Sequence, residues 1–212
     1  MKYLILFTAC FFCQISNAQS GIGIETGIVQ SRFHVVEGAF DLRELSDKFD
    51  HRGFKGKFYY QYNFNKFISI KQSVGFIKRG AIIKRNVGYV SFKKYSIGYI
   101  DLSTNVNFSP FNFFTFSGGI NYNILTKADL HYRQGRISDN STLFKKLDLG
   151  YNLGVILTSN NFFVRFNYFK SFNPIRISNI VTPIDPEAKD TGYYNNSIEF
   201  SIGYHFNLKK KN

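Results

Sequence analysis

The chain contains no tryptophan, one methionine, four prolines and two cysteines in 212 residues. Both cysteines, Cys10 and Cys13, stand near the N-terminus. The rest therefore has no disulfide framework, no thiolate metal site and no thiol nucleophile. Acidic side chains are scarce too, 14 against 27 Lys and Arg, for a formal charge of +13. Past the first 20 residues no apolar run is long enough for a spanning helix. Ala, Glu and Met are too sparse for a helical bundle or coiled coil. What is abundant is aromatic, with 25 Phe and 14 Tyr. With Gly, Asn and Ser these make a strand-and-turn composition, too aromatic to stay disordered.

Residues Met1 to Ser20 read as an address. Lys2 opens the segment, an apolar run extends from Tyr3 to Ile15, and Ser16-Asn17-Ala18 places small residues before a cut after Ala18. This predicts a cleaved signal peptide over 1–18 and one barrel domain over 19–212. The apolar run is shorter than the ~20 residues of a membrane helix. A lipoprotein leader is the weaker alternative, because Cys10 and Cys13 lie inside the apolar run. Cleavage leaves no cysteine, so an exported chain needs another stabiliser. Closure of a barrel in a membrane is one.

Beyond the leader, apolar and polar residues alternate with period two, the strand signal. Eight segments carry it: Ile22–Ile28, Phe54–Phe64, Ile68–Phe76, Tyr99–Phe108, Phe114–Ile124, Lys146–Leu157, Phe162–Tyr168 and Ile198–Phe206. Most are read as strands of about 9–11 residues, the length of a tilted membrane strand. Short turns at Asn63–Lys66, Ser109–Asn112 and Thr158–Asn161 alternate with long connections at Ser31–Gly53, Gly80–Lys94, Thr126–Leu143 and Asn173–Asn195. The fold class expected is all-β: an eight-stranded antiparallel up-and-down transmembrane β-barrel with short periplasmic turns and long external loops. Outer-membrane localisation and a monomeric barrel follow.

A soluble lipocalin-like barrel would alternate in the same way with its apolar face inward. The polar face argues against it. Gly, Ser, Asn and Thr outnumber charges there, as a narrow lumen requires. Its charges also have both signs. Glu25, Asp101, Asp148 and Glu199 are expected to pair with Lys55, Lys57, Lys71, Lys146 and Arg165, since charges in a lumen are costly unless paired. Phe64, Phe67, Phe108, Phe111, Phe113, Phe114, Phe162, Phe163 and Phe206 gather beside the short turns, as a periplasmic-side girdle would.

Four stretches carry a family resemblance. They are the opening strand Gly21–Gly27, the segment Tyr99–Leu102, the stretch Gly118–Tyr122 and the final Gly203–Phe206. Together they resemble the PorT-like small eight-stranded outer-membrane β-barrels of the Bacteroidota, over essentially the whole mature chain. The fourth strand departs from the family in lacking its Pro, and six residues follow Phe206 where better-known barrels end on an aromatic. The resemblance implies outer-membrane insertion and a role beside a secretion or envelope complex, the latter by fold analogy alone.

Catalytic signals are weak. His34, His51 and His131 lie in or beside the long connections, with Asp50 next to His51 and Asp129 near His131, but no G-x-S-x-G or metal-spaced His pair appears. His205 is expected inside, near the periplasmic rim. Asp185, Glu187 and Asp190 could hold a divalent cation only weakly, so neither a metal nor a cofactor is expected. The second long connection and its start carry Arg79, Lys84, Arg85, Lys93 and Lys94 without an acid. Of these, Lys84, Arg85, Lys93 and Lys94 are candidates for lipid A phosphate contacts, which makes lipopolysaccharide a partner. Export makes nucleic-acid binding improbable despite the basic charge. Phe40, Leu42, Leu45 and Phe49 suit a short amphipathic helix. The expected function is non-enzymatic: a structural or interaction barrel presenting loops at the cell surface, with a protein partner in an envelope complex. A narrow channel or small-solute transporter is the alternative, and a lipid A or phospholipid-modifying enzyme with His51 or His131 as base comes third.

Overall fold

The computed structural model describes residues 20–36, 50–82, 92–132, 135, 137–179 and 190–208. The expected leader, the Phe40–Phe49 segment, Lys84, Arg85, Asp185 and Glu187 lie outside the described residues. Among the described residues ten strands form: β1 (Ser20–Val36), β2 (His51–Asn63), β3 (Ile68–Ile82), β4 (Phe92–Phe111), β5 (Phe114–Tyr132), β6 (Ile137–Asp139), β7 (Leu147–Ser159), β8 (Phe162–Ser171), β9 (Arg176–Asn179) and β10 (Asp190–Asn207). Eight of them, all but the short β6 and β9, pair antiparallel in sequence order, and β1 closes the sheet against β10. β6 extends the sheet beside β5, and β9 does so beside β10.

The short turns fall where the polar residues predict. Between β2 and β3, the Asn65 Oδ1 accepts from the Phe67 and Ile68 amides at 2.8 Å each, an Asx arrangement that tightens the turn. Between β7 and β8, Asn160 adopts φ 54°, a left-handed conformation that Asn tolerates better than most residues.

Register sets the barrel's width. Following paired residues around the sheet, Ser20 leads through Tyr62, Ile70, Val106, Gly118, Leu153, Tyr168 and Ile198 back to β1 at Gln30, a stagger of ten residues. Eight strands with that stagger tilt by about 41° and enclose a radius of roughly 8 Å to the backbone. Such a cylinder has room for side chains and little else.

The strands are longer than the alternation suggested, reaching 20 residues in β4. β1, β3 and β5 run on into the expected long connections, and β4 and β10 begin within them. Pairing persists because the inward face turns apolar there instead of ending. Phe33, Ile77, Ala81, Tyr95, Ile97, Ala128 and Leu130 pack into one buried cluster with Phe144 and Ile175. A β-bulge is part of this. Gly98 pairs with Lys127 while Tyr99 pairs with Leu125, leaving Thr126 as the extra residue of β5. The extra residue reverses the side-chain parity, so Ala128 and Leu130 point inward whereas lower down it is Asn121 and Asn123 that do.

The molecule is apolar outside and charged inside. Phe58, Ile28 and Leu153 are 69%, 60% and 58% exposed, while Glu25, Lys55, Lys71, Arg79 and Glu199 are buried. Exposed aliphatic and aromatic residues occur on all eight barrel strands. A continuous apolar belt of this kind is solvated by hydrocarbon and not by water. No described helix is long and apolar enough to cross a membrane.

Candidate functional site

The lumen holds the most concentrated chemistry in the described residues. Glu25 on β1 is its hub. It accepts from Lys55 Nζ at 2.7 Å and from Lys71 Nζ at 2.9 Å, and Arg165 Nη1 stands at 3.8 Å. Ser201 Oγ donates a further bond to it at 2.9 Å. Lys55 bridges to Glu199, which also receives Arg79 Nη2, both at 3.0 Å. Asp101 accepts from Lys57 Nζ at 2.7 Å and from Asn121 Nδ2 at 2.8 Å. Arg79 reaches within 4.0 Å of Asp101 and stacks 3.8 Å over the Phe169 ring. Strands β1, β2, β3, β4, β8 and β10 are thereby tied together across the interior.

The small and amide residues of the polar face complete this network. Arg165 Nη2 donates to oxygens of Asn105, Ser117, Asn152 and Asn167 at 3.1–3.4 Å. Asn152 in turn donates to Asn121. Each ion loses its hydration in the lumen, and these bonds replace part of it, leaving Arg165 Nε and Arg79 Nη1 without a hydrogen-bond partner among the described residues.

Seven of the nine residues expected to form the lumen network, Glu25, Lys55, Lys57, Lys71, Asp101, Arg165 and Glu199, join through the contacts above. Asp148 is buried but stands apart, accepting from Ser171 Oγ at 2.6 Å and Asn195 Nδ2 at 2.8 Å. Lys146 does not enter the lumen. It is exposed just before β7 begins, where the strand no longer forces its side chain inward. Arg79 was placed with the basic connection on sequence grounds, yet it is fully buried in β3 and bonds to Glu199. Its parity with Lys71 and Ser73 was the available signal. Of the four residues expected to meet lipid phosphate, Lys93 and Lys94 fall within β4, and Lys94 is half-buried.

Both ends of the charged zone are closed. At the short-turn end, Lys71 lies 3.8 Å over the Tyr59 ring, and Phe163 packs edge-on against Tyr59. Tyr59 Oη and His205 Nδ1 are 3.2 Å apart, so His205 occupies the inner rim as expected. A cavity of about 130 Å³ lies here, lined in part by Gln61, Ser69, Asn107 and His205. At the long-connection end, Phe33, Tyr95 and Phe144 pack ring against ring inside the buried cluster. Arg176 donates to Tyr95 Oη at 2.9 Å and lies beside the Phe144 and Tyr193 rings. Tyr99 accepts from Asn195 beneath this plug.

The candidate catalytic histidines do not assemble a site. His51 is buried, with Nδ1 3.3 Å from Ser31 Oγ, whose hydroxyl is already committed to Gly80 O at 2.9 Å. His131 is half-buried in register with Lys94. His34 is exposed near Tyr194. Asp139 is kept below the usual carboxylate range by Ser141, whose hydroxyl and amide both donate to it. No cluster of His, Cys, Asp or Glu suited to a metal occurs among the described residues.

No family model and no curated protein matches the chain. Solved structures do. Neisserial surface protein A matches with a TM-score of 0.51 at 11% identity, over 86% of this chain and 96% of that one. Ail, the attachment invasion locus protein of Yersinia pestis, is 21% identical over 90% of this chain and 99% of its own, with a TM-score of 0.49. Outer membrane protein AlkL is 10% identical over 94% and 96%, with a TM-score of 0.44. Identities this low speak for architecture alone: the chain is a closed eight-stranded antiparallel barrel with the fold of small outer-membrane β-barrels.

Proposed function

We propose that this protein is a non-enzymatic barrel of the outer membrane that presents its long connections at the cell surface to a protein partner in an envelope complex. The observation that carries this reading is the charged interior: an ion-pair network lies between two groups of buried aromatic side chains, which supports a structural role over bulk transport. The strands meanwhile continue past the lipid belt, and their apolar inner cluster makes a rigid stand for the connections. His51, which stands beside the Ser31 hydroxyl, is buried, and that hydroxyl is committed to Gly80 O. The cleaved leader read over 1–18 supports export. The PorT-like character of Gly21–Gly27, Tyr99–Leu102, Gly118–Tyr122 and Gly203–Phe206 supports the finer assignment beside a secretion or envelope complex.

The test is affinity purification from native membranes. The full chain is expected to bring down a stable partner. A variant with 37–49 and 180–189 replaced by short Gly-Ser turns is expected to fold and lose it. Recovery of the barrel alone from native membranes contradicts the proposal.

A further inference from the structure

Five cations form a collar at the long-connection end of the barrel: Arg52, Lys78 and Lys170 on its outer wall, and the exposed Lys145 and Lys146 beside it. Arg52 shares its face of β2 with Phe54 and Phe58, and Lys78 shares its face of β3 with Val74 and Phe76, residues of the lipid belt. Lys170 continues the outward row of Phe166 on β8. Lys145 and Lys146 are exposed immediately before Leu147, the first belt residue of β7. Given the tilt and stagger, all five fall within roughly 10 Å of axial height, at the belt's edge toward the long connections.

None of the five has an ion-pair partner among the described residues. Lys127 in the same region differs, because Asp129 holds it at 3.0 Å. Asp139, on the adjoining β6, is engaged by Ser141. Among the described residues, Asp129 and Asp139 at this rim are thus both engaged already. At the opposite rim the described outward cation is Lys66, lying 4.8 Å over the Phe67 ring, and the Lys209–Lys211 tail follows beyond the described residues.

A cation at this depth has its stem against acyl chains and its head among lipid headgroups. An anionic group there is met with little further desolvation, and phosphate oxygens accept charge-assisted bonds from Lys and Arg. We propose that this collar binds a lipid whose headgroup carries clustered phosphates, in the leaflet facing the long connections. The proposal rests on the membrane reading and moves the lipid contact from the basic second connection to the barrel wall.

Thermal unfolding in vesicles tests it. The probes are phosphatidylcholine vesicles alone, or with a minor fraction of bisphosphorylated lipid A, its dephosphorylated form, or phosphatidylglycerol at matched charge. The wild type is expected to gain at least about 5 °C with the bisphosphorylated lipid alone. A variant combining Arg52→Gln, Lys78→Gln, Lys145→Gln, Lys146→Gln and Lys170→Gln is expected to fold equally well in phosphatidylcholine and to gain nothing. An equal gain in the variant, an equal gain from phosphatidylglycerol, or no gain in the wild type overturns the collar. Failure of the wild type to fold into any vesicle overturns the membrane reading and the collar with it.

Discussion

Glu25→Gln is expected to lower the stability of the folded barrel by about 3–5 kcal/mol, the usual cost of removing one partner from a buried ion pair. The reason is an uneven redistribution of partners. Lys55 keeps Glu199 at 3.0 Å, and Arg165 keeps its four amide and hydroxyl acceptors. Lys71 keeps its place over the Tyr59 and Phe163 rings but loses the carboxylate of Glu25 that pairs with it. The orphaned charge is therefore that of Lys71. Adding Lys71→Met to Glu25→Gln is expected to recover about half of the loss, since a neutral side chain of similar length no longer needs the carboxylate. Denaturant midpoints in vesicles measure both. A fully additive double variant would show that Lys71 and Glu25 do not act as a pair.

The second large effect concerns the outer face. Phe58→Arg places a cation near mid-belt on a side chain that is 69% exposed. In hydrocarbon this costs about 2–4 kcal/mol, whereas Phe54→Arg, nearer the rim, costs about 0–1 kcal/mol. In water the first substitution would be neutral or favourable, as for any exposed Phe on a soluble surface. The depth gradient between the two positions separates lipid from water by the same denaturant measurement. Equal effects at Phe54 and Phe58 would count against a spanning orientation.

Period-two alternation carried most of the architecture, because each barrel strand has one wall facing lipid and the other a lumen too narrow for large side chains. Glu25, Lys55, Lys57, Lys71, Asp101, Arg165 and Glu199 were legible for that reason alone: each is charged and shares parity with small polar residues. The strand ends were not legible. Above the belt the inward face becomes apolar at Phe33, Ile97 and Leu130, so the contrast that marks a strand disappears while the pairing continues. The bulge at Thr126 hid the rest, since one extra residue reverses the assignment of Ala128 and Leu130. Arg79 keeps the inward parity of Lys71 and Ser73, but it lies beyond Phe76, where the alternation on β3 stops being evident. Lys146 was overcounted because parity says nothing about where pairing stops.

The central claim is that the lumen is shut by its own side chains, and planar-bilayer recording tests it most directly. Protein first shown to be folded by its altered mobility on unboiled gels is expected to insert without producing stable conductance steps. Reproducible open-channel steps from the wild-type chain would contradict a sealed lumen and turn the reading toward transport.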